Sequence, residues 1–147
     1  MTSNNNDLKA PAYYLAGVAA RNAMGGKVES LSLEFPNAVL IDARCNSVKW
    51  LREYTLGNRK AAERELRPLL CGAIARRRGA SHCLQWNDAL APLENAPLLF
   101  NVAGDMVAFV KENWIKSKLI ANTLVTDKVL SQAQLRWILY APEHAAA

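Results

Sequence analysis

A chain of 147 residues with 51% apolar and 21% charged residues is the size and composition of one ordinary domain, which excludes a disordered, collagen-like or coiled-coil whole. Its apolar stretches are cut by Asn101, Asp105, Lys111 and Glu112, so nothing approaches the ~20 residues of a membrane span. The net charge of +5 favours acidic or polyanionic partners over membrane-core or strongly basic ones.

Residues 1–7 are polar and lack the basic start and apolar block of a secretion signal, so a cytoplasmic location is expected. They are read as a mobile tail, as are residues 143–147, of a single domain spanning 1–147. Asp7 and Pro11 then lead into Tyr13, Tyr14, Leu15 and Val18, and Gly25 with Gly26 follow, which predicts a first helix near residues 10–24. Leu31, Leu33 and Phe35 alternate with polar neighbours, and after Pro36 and Asn37 the run Val39, Ile41, Ala43 alternates again. That pattern predicts a β-hairpin over about residues 28–44. Two strands alone are marginal in water, so the hairpin is expected to pack on helices or to offer its edge to another chain.

Asn46 or Ser47 is placed to cap a short helix carrying Val48, Trp50, Leu51 and Tyr54, with Gly57 as its stop. Asn58 caps a longer one, whose Ala62, Leu66, Leu69, Leu70 and Ala73 form a core-facing stripe. At about 100° per residue, Lys60, Arg64, Arg67, Cys71 and Arg78 fall on one opposite face, unless Pro68 kinks or restarts the helix and splits that face in two. Gly79 is read as its terminator, after Arg76, Arg77 and Arg78, cations that also suit the negative end of the helix dipole. A short helix with Leu84, Trp86 and Leu90 is expected between Ser81 and Pro92. A long, largely buried core helix then runs from Asn95 and Pro97 through Val102, Met106, Val110 and Trp114 to about Asn122. Ser131 and Gln134 make a capping-box pair ahead of a last helix with Leu135, Trp137, Ile138 and Leu139, stopped by Pro142. The fold class expected is therefore α+β and predominantly helical, one compact domain of about five to six helices with one hairpin in its N-terminal half.

The charge is unevenly spread. Residues 21–80 hold 12 Lys or Arg against 6 Asp or Glu, while residues 81–147 hold 5 against 6. Within residues 44–78, ten basic residues (Arg44, Lys49, Arg52, Arg59, Lys60, Arg64, Arg67, Arg76, Arg77, Arg78) face three acidic ones (Glu53, Glu63, Glu65). Such a surplus either solubilises a helix face or attracts an acidic partner.

Chemistry is sparse. Glycine patterns for phosphates or dinucleotides are absent, as is Gly-x-Ser-x-Gly. Cys45, Cys71 and Cys83 are odd in number and widely spaced, which predicts free thiols, and neither they nor His82 and His144 show a zinc-ligand spacing. A nucleophilic Cys45 or Cys71 with His82, or a carboxylate pair drawn from Asp42, Asp88 and Asp105, has no supporting motif. Trp50 and Tyr54 beside Lys49, Arg52 and Arg59 form the basic and aromatic mixture that single strands use, yet their spacing fits a core stripe better. Residues 48–68 read as helix, turn, helix, but a DNA-reading motif would put Glu53 and Glu63 at its core positions.

The expectation is a small non-enzymatic interaction protein with no cofactor and no metal. It would be an inhibitor or regulator of the kind a phage or plasmid encodes, for example anti-CRISPR-like. Its expected target is a protein or nucleoprotein complex with an acidic or polyanionic surface, bound through Lys49, Arg52, Arg59, Lys60, Arg64, Arg67, Arg76, Arg77 and Arg78. Direct DNA or RNA binding through the same segment is the alternative, an enzyme with an unfamiliar cysteine or carboxylate site a further one, and a homodimer is compatible with all of them.

Overall fold

In a computed structural model, which describes residues 4–80 and 97–140, the sequence's small residues decide which helices meet. Helix α1 spans Asn4–Met24, and Ala10, Ala12, Ala16, Ala19, Ala20 and Ala23 are all buried on it. It starts within the segment expected as a tail and runs through Pro11 rather than beginning beside it. Proline inside a helix forfeits one backbone bond and costs about 3 kcal/mol. Here Pro11 is fully buried, and Leu8, Ala10 and Ala12 on either side of it in the sequence are buried too, so burial of the segment opposes that cost.

Helix α2, Pro36–Thr55, and helix α3, Arg59–Ala80, follow after a short strand β1, Leu31–Ser32. The second arm of the expected hairpin is thus a helix. Val39, Ala43, Ser47 and Trp50 are its buried residues, a spacing of four, four and three, whereas Ile41 on the alternating pattern is 62% exposed. Val39 and Ala43, four apart, satisfy a period of 2 and a period near 3.6 equally, which is why the short window misled. Pro36 occupies the first helical turn, where its missing N–H costs nothing. Ser47, expected as a cap, lies mid-helix and donates its hydroxyl to the Ala43 carbonyl at 2.8 Å.

At the other end Gly57 stops α2 as expected, with a φ of +87° and its amide bonded to the Tyr54 carbonyl at 3.1 Å. The Asn58 carbonyl accepts from Ala62 at 2.9 Å and opens α3, while its side chain donates to Glu53 at 2.9 Å. Helix α3 then continues through Pro68 to Ala80 without interruption, so Gly79 does not end it.

The expected long core helix is two: α4, Pro97–Glu112, and α5, Trp114–Asp127. The break falls at Asn113, whose side-chain and backbone N–H groups both donate to the Phe109 carbonyl, at 2.9 and 3.0 Å. It lets Trp114 stack on Tyr13, with ring centroids 5.4 Å apart and planes 13° from parallel. On α4, Val102, Met106 and Val110 are buried but Val107 is half exposed, so the helix has one covered side rather than full burial.

Lys128, in the left-handed region at φ 68°, ends α5. Strand β2, Val129–Leu130, then pairs antiparallel with β1, Leu31 opposite Leu130 and Ser32 opposite Val129. The fold class is the expected one, mostly helical with one antiparallel strand pair, but the partner strand comes from the far end of the chain. Helix α6, Gln132–Tyr140, starts with the expected reciprocal box. The Ser131 amide donates to the Gln134 side chain at 2.9 Å, and the Gln134 amide to the Ser131 hydroxyl at 3.2 Å. Tyr140 ties α6 to the end of α1 by donating its hydroxyl to the Ala23 carbonyl at 2.7 Å. The expected short helix between Ser81 and Pro92 and the stop at Pro142 lie outside the described residues.

Helices α1 and α3 run antiparallel in close contact. A β-carbon at Gly17 would overlap the Cys71 carbonyl, one at Gly72 would come within 2.7 Å of the Tyr14 ring, and one at Gly79 would overlap the Tyr13 ring. Gly17→Ala should therefore destabilise the protein by about 1–3 kcal/mol, the usual cost of overpacking. Gly104→Ala, on α4 with nothing within 4 Å of the new carbon, should instead gain up to about 1 kcal/mol from helix propensity. Urea unfolding midpoints of the two variants check this contrast.

Candidate interaction site

The face of α3 that α1 covers carries small residues at its C-terminal half and cations at its N-terminal half. Cys71, Gly72, Ala75 and Gly79 lie under or beside α1. Lys60, Arg64 and Arg67 continue the same side, and there α1 has already ended at Met24 and turned away through Gly25 and Gly26. The cover stops and leaves a groove of about 610 Å³.

One wall is the end of α1 and its turn, with Arg21, Asn22, Met24, Gly25 and Lys27; the other is α3, with Lys60, Glu63, Arg64, Arg67 and Pro68. Five cations thus face one carboxylate. Glu63 is also held at 3.7 Å by Arg59, one turn earlier on α3. Lys27, Lys60, Arg64 and Arg67 have no carboxylate within ion-pair distance among the described residues. Arg21, half-buried, lies over the Phe109 ring at 5.2 Å and donates to the Met24 sulfur at 3.3 Å, contacts that position its charge without neutralising it.

The nine residues expected as one site separate into three groups. Lys60, Arg64 and Arg67 share the groove. Lys49 is paired with Glu65 at 3.7 Å and Arg59 with Glu63, while Arg52 is exposed on α2. Arg76, Arg77 and Arg78 stand about 14–16 Å further along α3 than Arg67, and Arg78 lies over the Tyr13–Trp114 stack with its guanidinium 4.6 Å from the Trp114 ring centre. The helix face proposed from spacing is real and Pro68 does not split it, but Cys71 in its middle is fully buried. Arg21 and Lys27 complete the groove from outside residues 44–78, within the wider basic surplus over residues 21–80.

Trp50 is 1% exposed and Tyr54 half-buried, their rings 6.3 Å apart, so they pack the α2–α3 junction rather than offer a stacking platform. Glu53 and Glu63 bond to Asn58 and Arg59, leaving polar contacts where a helix-turn-helix would need an apolar core. Among the described residues no three His, Cys, Asp or Glu side chains cluster as metal ligands, and no helix is long and apolar enough to cross a membrane. Cys45 is a free, exposed thiol and Cys71 a free, buried one; Cys83, His82 and His144 lie outside the described residues, as does Asp88.

Cys71 is fully buried where α3 meets α1 at Gly17. Burial pushes its thiol up to about 12, against the opposing pull of Arg21 and Arg67. Tyr14, beside it in the α1–α3 contact, is also raised by burial, and by the Asp42 carboxylate. Both groups are neutral in the fold and would ionise more easily unfolded, so their stabilisation is complete below the ordinary thiol and phenol range and is lost as pH rises above about 9. Unfolding midpoints should stay level from pH 7 to 8.5 and fall between pH 9 and 10.5, more shallowly in Cys71→Ala; guanidine titrations at each pH measure it.

The chain matches no protein family, no curated protein and no solved structure.

Proposed function

We propose that this is a non-catalytic interaction protein, an inhibitor or regulator, whose basic groove receives an acidic surface segment of a partner protein. The observation that carries the reading is the uncompensated charge: Lys27, Lys60, Arg64 and Arg67 surround one groove with no carboxylate paired to them among the described residues. Unpaired cations gathered on two walls raise the local potential and steer an anionic partner. Two further features favour a protein over a nucleic acid. The exposed thioether of Met24 adds an apolar contact to the lining, and Glu63 interrupts the cationic wall where a continuous row of phosphates would be repelled. With Trp50 and Tyr54 inside, stacking on bases gains nothing from them.

Affinity capture from a host lysate, with and without nuclease, tests this reading. A partner protein retained after nuclease supports it; loss of every bound species in favour of nucleic acid overturns it. Replacing Lys60, Arg64 and Arg67 together by Ser should weaken that binding by about 10- to 100-fold, at roughly 0.5–1 kcal/mol per lost charge pair. Replacing Arg76 and Arg77 by Ser should change it less than about threefold. Fluorescence anisotropy at two salt concentrations reads both variants, and the groove variant should also lose salt sensitivity.

A further inference from the structure

Helix α2 is apolar on both sides. Its inner side buries Val39, Ala43, Ser47 and Trp50. On the opposite side Ile41 is 62% exposed and Val48 60%, with Cys45 exposed between them, and Leu51, 44% exposed, stands on one flank about 60° round from Val48. Contiguous exposed apolar residues along one helix mark a contact surface.

The sequence of that face says what fits it. Ile41, Cys45, Val48 and Arg52 are spaced four, three and four, a spacing that reads the same from either end. We propose that the outer face of α2 is a homodimer interface, in which α2 of a second copy packs antiparallel about a two-fold axis between Asn46 and Ser47. In that register Ile41 stands level with Arg52 of the second copy and Cys45 level with Val48 of the second copy. Asp42 then falls about 1.5 Å along the axis from the level of Arg52 of the second copy and about 3 Å from that of Lys49 of the second copy. Asp42 and Lys49 lie on the same flank of the helix, about 20° apart, and antiparallel two-fold packing sets like flanks together.

Each opposite-charge contact occurs twice. Arg44 and Lys49 also come level, but on opposite flanks about 140° apart, so the like charges do not meet. Arg52 has no ion pair within the chain among the described residues, and Asp42 accepts a hydrogen bond from Asn46 at 3.1 Å; Lys49 already stands 3.7 Å from Glu65 in an exposed pair, so in the dimer it shares its charge between two carboxylates. Helix α2 lies on the Glu65 side of α3, where Lys49 reaches that carboxylate, whereas Lys60 and Arg67 project about 140–160° around α3. The dimer leaves both basic grooves open.

Sedimentation equilibrium of the full chain from about 1 to about 300 µM tests this. The expected result is a concentration-dependent rise from 16.2 kDa toward twice that mass. Val48→Glu should weaken association at least tenfold. Asp42→Arg and Arg52→Asp should each weaken it, and combining them should recover part of the loss, because the exchanged pair attracts again although position 42 then repels Lys49 of the second copy; damage to the fold cannot produce that recovery. A mass of 16.2 kDa at every concentration overturns the proposal, as does a dimer indifferent to Val48→Glu, and absence of rescue overturns the antiparallel register. Should Val48→Glu fail to fold, cross-linking of Cys45 by a short bismaleimide in a Cys83→Ser background decides: a covalent dimer is expected at the higher concentrations, and its absence refutes the interface.

Discussion

The close approach of α1 to α3 at Gly17 is the constraint on which the other contacts depend. Because Gly17 has no side chain, the α1 backbone rests directly against the Cys71 carbonyl. Gly72 and Gly79 repeat the device toward the other end of the contact and open places for the rings of Tyr14 and Tyr13. Close packing of this kind transmits displacement, since an interior at crystal-like density has no slack to absorb it. Moving α1 outward would carry Tyr13 with it, and so disturb the stack with Trp114 and the guanidinium of Arg78 lying on that indole. The start of α5 at Trp114, and hence the break at Asn113, is part of the same arrangement.

That contact also defines the groove. Antiparallel packing brings the end of α1 over the first half of α3, and the turn at Gly25 and Gly26 takes the chain away before the α3 face is fully covered. Side-chain chemistry changes at the same place, from glycine, alanine and cysteine under the helix to lysine and arginine beyond it. Tyr140 fixes the position of that turn from outside by its hydrogen bond to the Ala23 carbonyl, and Gln132 does so by donating to the Val28 carbonyl at 2.8 Å. The backbone of the α1 wall is therefore held by long-range contacts, which lowers the cost of ordering it when a ligand arrives, while the unpaired Lys and Arg side chains still have to be ordered.

How much of this the sequence discloses depends on the range of the interaction concerned. The Ser131–Gln134 box, the Gly57 stop and the stripe Ala62, Leu66, Leu69, Leu70 are settled within a turn or two of the chain, and they are legible. Residues 36–44 are not, because Val39, Ile41 and Ala43 fit a strand as well as a helix over that length, and the fit of Ser47 and Trp50 to the same buried side decides it only when the window is extended. The pairing of Leu31 with Leu130 spans 99 positions and leaves no local trace. Likewise the spacing of Lys60, Arg64, Arg67 and Cys71 correctly gives one face, but whether that face meets solvent or α1 depends on where another helix ends. Gly79 has the sequence position of a helix terminator, yet it and Gly72 are packing surfaces, a difference visible only with the opposing rings in place.

The central charge surplus, taken whole, would overstate the site. Ten basic residues between positions 44 and 78 suggest a broad anionic footprint, yet Lys49 and Arg59 are already engaged with Glu65 and Glu63, and Arg78 is engaged with Trp114. Exposed ion pairs contribute little to stability, about 0–1 kcal/mol each, but the paired carboxylate offsets the field that the cation projects. What remains is concentrated: the groove cations gain from each other's proximity in attracting an anion, and the low-dielectric walls on both sides extend their reach. A charge distribution of this kind gives rate and orientation more than affinity. Affinity must come from elsewhere, and the exposed apolar face of α2, on a side of α3 that the groove does not use, is where the fold has surface to spare. If that face joins two copies, two grooves act on one target and the second engagement becomes intramolecular, so modest contacts add up to a tight complex without any larger patch of charge.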